Sequence, residues 1–291
     1  MKRLIYIAAG IILLTSLFPT MNYSAPASGI EIILKSPEAN PQQLEQMADI
    51  ISARLEHFGV EEYELNVLGA TPQLSVRLTD EQLAKQIRPL LTATGQMEFC
   101  EVFTATDLQR LVNGEDWKEW LSLEGKEDHA AKLGLIDQQQ ITPFLQFAQE
   151  QHDRGQLPEN LRFSLSQEAD SQNKRAVYAL RYGPAFTPIA NKEALATIDI
   201  VGSEYGSDRI SLQFTELGSK RWAQATHDNI NRPIAIVIDG LVSSAPVVNE
   251  EISSGKAMIT GHFTAVEVKL LSALLSTETL PLQMQWVEVR Q

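Results

Sequence analysis

The amino-acid sequence predicts an α+β chain in two parts. Residues 29 to 103 switch in order between strand-like and helix-like periodicity, and a second set of strands and helices follows from Ala176 onward. Within that second set lies RPIAIVIDGLVSSAPVVN, Arg232 to Asn249, whose apolar run Ile234 to Ile238 is too short for a helix, rich in β-branched residues and suited to burial on both faces. Asp239-Gly240 follows at once, the dipeptide of a two-residue hairpin turn in which both residues take positive φ. The returning strand starts at Leu241, and Pro246 places it at a sheet edge or ends it near Ala245.

The first part reads β-α-β-β-α-β. Ile30, Ile32 and Leu34 make a strand; Asn40, Pro41 and Gln43 start a helix as N-cap, first residue and capping-box partner; Leu44, Met47, Ala48, Ile51, Leu55 and Phe58 form its buried stripe before Gly59 ends it. Tyr63, Leu65 and Val67, then Leu74, Val76 and Leu78, alternate with polar residues as a half-buried antiparallel pair. Thr79 with Gln82 predicts a capped helix that Pro89 interrupts, and Gln96 to Phe103 is taken as the last strand. This order is the ferredoxin-like split motif, with two helices on one face of an antiparallel sheet. The predicted division is 1–27 signal peptide, 28–104 ferredoxin-like base, 105–165 a mainly helical insertion, and 166–291 a second α+β head subdomain and return strand.

In the insertion, Trp117, Trp120, Leu121 and Leu123 form one stripe and Phe144, Leu145, Phe147 and Ala148 another; a helix face packed on its own domain is preferred over a contact surface. Ser166 to Arg175 is polar and reads as a loop. In the head, Ala176 to Tyr182, Thr197 to Val201 and Arg209 to Phe214 are strands. Thr215 opens a helix carrying Leu217, Trp222, Ala223 and Thr226. Lys256 to Gly261 is a strand, Thr264 with Glu267 caps a further helix, and Leu280 to Val289 closes the chain.

Length and composition narrow the class. A chain of 291 residues, 44% hydrophobic, fits about two folded domains. The net charge of −13 with no basic cluster argues against a nucleic-acid partner. Lys2 and Arg3 ahead of the apolar run Leu4 to Phe18, with Ala25-Pro26-Ala27 behind it, read as an export signal that sends the chain to the periplasm. Were the signal left uncleaved it would act as a membrane anchor, although the run is short for a span of about 20 residues. Cys100 is the single cysteine, so no intrachain disulfide forms, and its apolar neighbours suit a buried, inert thiol.

No catalytic constellation emerges. His57, His129, His152, His227 and His262 have no metal-ligand spacing, and the nucleotide and hydrolase loop motifs are missing, so neither a metal nor a cofactor is expected. Ser253 and Lys256 match S-x-x-K, but in a polar turn with no companion K-T-G. The acid pairs Glu61-Glu62 and Glu250-Glu251 read as solvated charge.

The segments ELGSKRWAQATHDNI, RPIAIVIDGLVSSAPVVNEEI, ITGHFTAVEV and LLSALLSTETLPL, between Thr215 and Leu282, resemble the head subdomain of the large first periplasmic domain of SecD or of the fused SecDF, and residues 29–103 suit that domain's base. The resemblance is weakest over 104–165. It implies a non-enzymatic module of late protein export that binds exported or unfolded polypeptide, or Sec translocon components. Membrane contact is expected only through the signal or through partners. It implies no proton-driven motor for this chain alone, since the family's proton-conducting transmembrane helices have no counterpart here. Phe214, Trp222, Val242 and Phe263 are the expected polypeptide-binding residues; Asp239, Gly240 and Pro246 are structural residues of the hairpin. The rival reading is an envelope structural or interaction protein that keeps the fold without an export role.

Overall fold

A computed structural model describes residues 5–7, 29–68, 71–112, 114–121, 130–202, 209–259 and 264–290. The chain forms two units: residues 1–95, 199–210 and 260–291 in the first, and 96–198 with 211–259 in the second. Of the expected signal, only Ile5–Ile7 is described, as a short strand parallel to Tyr63–Leu68.

The first unit is the ferredoxin-like base with one exchange of strand. Its sheet runs in the order Ile5–Ile7, Tyr63–Leu68, Gln73–Leu78, Ile30–Lys35, Gln285–Arg290. The fourth strand of the motif is therefore Gln285–Arg290, antiparallel to Ile30–Lys35, and not Met97–Phe103 as the local pattern suggested. The reason lies in burial. Met97 and Phe99 are buried on one face of that strand and Cys100 and Val102 on the other, a demand that the second unit meets. Helix Ala265–Ser276, expected in the head, likewise packs in the base, with Ala273 and Leu274 in one core with Met47, Ile51 and Leu55 of helix Pro41–Phe58.

Local signals are obeyed closely. The capping box at Asn40 and Gln43 is formed, Pro41 occupies the first turn and Gly59 ends the helix at φ +95°. Pro89 divides its helix into Glu81–Gln86 and Arg88–Thr92. The cap of the first piece is Asp80, which accepts from the Leu83 amide at 2.7 Å, in place of the expected Thr79. The helix starts at Glu81, so Asp80 holds the N-cap position, where aspartate is preferred over threonine.

Arg54, fully buried, faces the end of Arg88–Thr92. Its Nη1 donates to the carbonyls of Leu90 (3.1 Å) and Ala93 (2.6 Å), and its Nη2 to those of Thr94 (2.6 Å) and Glu278 (3.4 Å). A cation at the carbonyl end of a helix meets the groups left unpaired there. Gly95 adjoins it at φ +75°, where a Cβ would stand 2.6 Å from Arg54 Nη2.

The second unit is built on a closed barrel. Ile234–Ile238 pairs antiparallel with Leu241–Ser244 on one side and with Met97–Phe103 on the other. Leu241–Ser244 lies parallel to Leu161–Ala169, which pairs with Lys174–Arg181. Lys174–Arg181 then returns to Met97–Phe103 through Glu101–Arg181, Val102–Leu180 and Phe103–Ala179, so that five strands close on themselves. One face of these strands buries a cluster of mostly small residues, Cys100, Val102, Leu180, Ala235, Val237 and Val242, the filling a narrow barrel interior requires. The other face carries Phe103, Leu161, Leu165, Val177 and Ala179, packed against Leu108, Trp117 and Phe144 from the 105–165 segment.

The central strand and its turn stand as expected. All five residues of Ile234–Ile238 are buried, and Asp239 and Gly240 take φ +48° and +78°. Leu241–Ser244 stops before Pro246, so the proline ends the strand, which lies inside the sheet order and not at its edge. The stretch read as a polar loop, Ser166 to Arg175, is the tip of a hairpin: Leu161–Ala169 and Lys174–Arg181 continue into it, joined by a turn in which Asp170 Oδ1 accepts from the amides of Gln172 and Lys174 at 2.9 Å. Polar residues on both faces of an exposed ladder hide a strand from periodicity. The insertion also contains a strand, Gly134–Asp137, too short to announce itself.

Candidate functional site

Three of the four expected binding residues are interior. Phe214 and Trp222 stack at 5.0 Å between centroids, each against Phe99 (5.5 and 4.9 Å), and are 3% and 5% exposed; Val242, 1% exposed, fills the barrel. They do not line an open groove: Arg209–Phe214 and Glu216–Asp228 turn both aromatic rings inward because Ile210, Leu212 and Phe214 alternate with polar residues. Phe263 lies outside the described residues. Asp239 has a second role beside its turn, since its Oδ1 accepts from the Gln96 amide at 2.9 Å and its own amide donates to Gln96 O at 3.0 Å.

A charged lattice ties Ala105–Leu111 to the barrel. Arg232 Nη2 meets Asp107 Oδ2 at 2.5 Å, while Arg181 bridges Glu101 (3.6 Å) and Asp107 (3.9 Å) with its guanidinium 4.1 Å from the Phe103 ring centroid. Burial pushes the Asp107 carboxyl up, but the Thr104 amide and Arg232 outweigh it and hold it below the ordinary carboxylate range. In the barrel interior, burial pushes the Cys100 thiol up to about 12, with the Tyr182 hydroxyl pulling the other way; Tyr182 in turn donates to Glu98 Oε2 at 3.1 Å. Such a thiol is inert at neutral pH. Ser253 sits in an exposed turn ahead of strand Lys256–Ile259, not at a helix start. Among the described residues no group of histidine, cysteine or acidic side chains is placed to hold a metal ion, and no helix is long and apolar enough to cross a membrane.

One exposed constellation had no sequence signal. Phe186 is 49% exposed on the turn Pro184–Phe186, and the Arg162 guanidinium lies 4.2 Å from its ring centroid. Arg162 Nη1 donates to Glu159 O at 2.8 Å and Leu161 O at 2.7 Å and stands 3.1 Å from His152 Nε2. The same histidine nitrogen stands 3.3 Å from Glu159 O.

Residues 166–282 match the family model described as SecDF, P1 head subdomain. Residues 166–282 carry a SecDF-type head subdomain. Over 244 residues it is 28% identical to the protein translocase subunit SecD of Endomicrobium trichonymphae, covering 83% of this chain and 45% of that protein. The SecD subunit of Syntrophobacter fumaroxidans is 27% identical over 285 residues, covering 94% and 45%. The chain thus spans less than half the length of these SecD relatives. A solved structure of SecDF, described as a membrane component that enhances protein export, superposes with a TM-score of 0.52 at 24% identity, covering 90% of this chain and 99% of that one. A super-membrane-facing form of SecDF gives 0.55 over 91% of this chain and 30% of its own. The SecD-type α+β fold thus extends beyond the head into the base.

Proposed function

We propose that this SecD-type domain acts in late protein export in the periplasm, as a non-enzymatic module that engages exported or unfolded polypeptide on the outer surface of its head. The observation that carries this reading is the SecDF head match over residues 166–282, set on a barrel whose interior is filled. A packed lumen leaves no room for a chain to thread, so contact falls to exposed side chains. The Sec translocon is the second partner of the proposal, since the SecD relatives are translocase subunits. Delivery to the periplasm is assigned to the basic and apolar residues 1–27 as an export signal. The absence of catalysis is supported by the inert thiol at Cys100 and the turn position of Ser253.

The test is binding of the purified chain to a panel of unfolded polypeptides, with aggregation suppression as the second readout and in-cell crosslinking to translocon components as the third. Micromolar binding or a crosslink supports the export reading. No client bound and no crosslink formed would leave an envelope structural role in its place.

A further inference from the structure

We infer that Phe186 and Arg162 form one recognition point for extended polypeptide in which an aromatic or aliphatic side chain lies next to an acidic one. The inference rests on the polypeptide-binding reading and gives it a place and a chemistry. Ala185 and Phe186 both take left-handed backbone, at φ +55° and +56°. Residues with a Cβ disfavour that region, and glycine or asparagine would fill it with less strain. The turn itself is secured without the phenyl ring: the Gly183 amide donates to Thr187 O at 2.7 Å and the Thr187 hydroxyl to Pro184 O at 2.9 Å. A half-exposed ring in strained backbone contributes little to its own fold, and strain of this kind gathers where a side chain must be presented outward.

Arg162 supplies the second half. Its Nη1 donates to two backbone carbonyls and stands 3.1 Å from His152 Nε2, and among the described residues no carboxylate reaches its guanidinium within 4.0 Å. The edge formed by Nε and Nη2 makes no hydrogen bond among the described residues, and that edge is the side-on fork that takes a carboxylate with two parallel bonds. Phe186 covers one face of the same group at 4.2 Å, which fixes its plane and partly strips it of water. In a chain of net charge −13 an arginine without a carboxylate is a local positive site. A client side chain lying on Phe186 brings a neighbouring Asp or Glu to the Nε–Nη2 edge.

The experiment uses the full chain and three labelled unstructured peptides: one with a single Trp flanked by Glu, the same with Gln for Glu, and the same with Ser for Trp. The Trp-Glu peptide is expected to bind about fivefold more tightly than the Gln version, the scale of one exposed ion pair. Arg162→Gln should abolish that preference and leave the Gln peptide unaffected. Phe186→Gly should weaken both Trp peptides about tenfold while the melting temperature stays level or rises, because glycine relieves the positive φ. A fall in melting temperature for Phe186→Gly overturns the inference by making the ring a structural plug. Peptide affinities unmoved by either substitution, with unfolded clients still bound by the native chain, overturn this site and leave the broader reading standing. A native chain that binds no unfolded client fails both.

Discussion

Arg54→Met in the base tests how a buried cation stabilises the carbonyls around it. Three bonds are 3.1 Å or shorter, to Leu90, Ala93 and Thr94. Hydrogen bonds from a charged donor contribute about 1.5–3 kcal/mol each, and the native state offsets part of this by keeping a guanidinium out of water. Methionine fills much of the volume but takes the donor from the Leu90 and Ala93 carbonyls, while Thr94 O keeps the Leu280 amide at 2.9 Å, and each lost donor costs about 1–3 kcal/mol. Allowing for relaxation, the net loss is about 3–5 kcal/mol, a large share of the roughly 5–15 kcal/mol typical of a domain. Arg54→Lys keeps the charge and loses the fork, and should fall between. The assay is amide hydrogen exchange of strands Ile30–Lys35 and Gln73–Leu78 in rising urea, which reads the first unit by itself. At a slope of about 1–3 kcal/mol per molar urea the midpoint should drop by about 2 M. A midpoint within about 0.3 M of the native chain refutes the reasoning.

Three further outcomes follow from the same packing. Gly95→Ala should destabilise the base by about 1–3 kcal/mol, from its φ of +75° and a Cβ 2.6 Å from Arg54 Nη2; in urea melts the double variant with Arg54→Met should lose less than the sum, since the clash goes with the guanidinium. Cys100 retains its proton in the folded state to about pH 12, whereas an unfolded thiol loses it near 9, so the head should lose stability as pH rises across that window by about 1.4 kcal/mol per unit; Cys100→Val should flatten the profile, and a thiol reagent at pH 8 should label the native chain only as fast as it unfolds. Asp107 titrates below its unfolded value, so its contribution is present above about pH 4 and is lost as pH falls through the lower folded value; acid unfolding of Asp107→Asn should lack that step.

The sequence made local structure legible and left long-range pairing obscure. Caps at Asn40, Thr215 and Thr264, the αL stop at Gly59 and the Asp239-Gly240 turn depend on a few adjacent residues, and they stand where the pattern placed them. The partner of Met97–Phe103 depends on residues far along the chain: a run apolar on both faces says that cover is needed and not which sheet supplies it. Phe214, Trp222 and Val242 were chosen for apolarity, which is as good a mark of a core as of a binding face, and burial decides for the core. Phe186 and Arg162 had no signal because a single exposed ring and a single arginine, on separate segments, become a constellation only when strand Leu161–Ala169 meets the Pro184–Phe186 turn.

The exchange of the fourth base strand also orders events in time. Residues 96–198 and 211–259 hold every strand of the barrel, so that unit can close while the end of the chain is still being synthesised or exported. The base sheet has to wait, because Arg290 lies beside Glu31 and helix Ala265–Ser276 supplies part of its core. Bringing such distant segments together is slow, and until it happens the apolar faces of Ile30–Lys35 and Pro41–Phe58 lack part of their cover. A chain cut short before Gln285 is therefore expected to emerge with a finished head on an unfinished, aggregation-prone base.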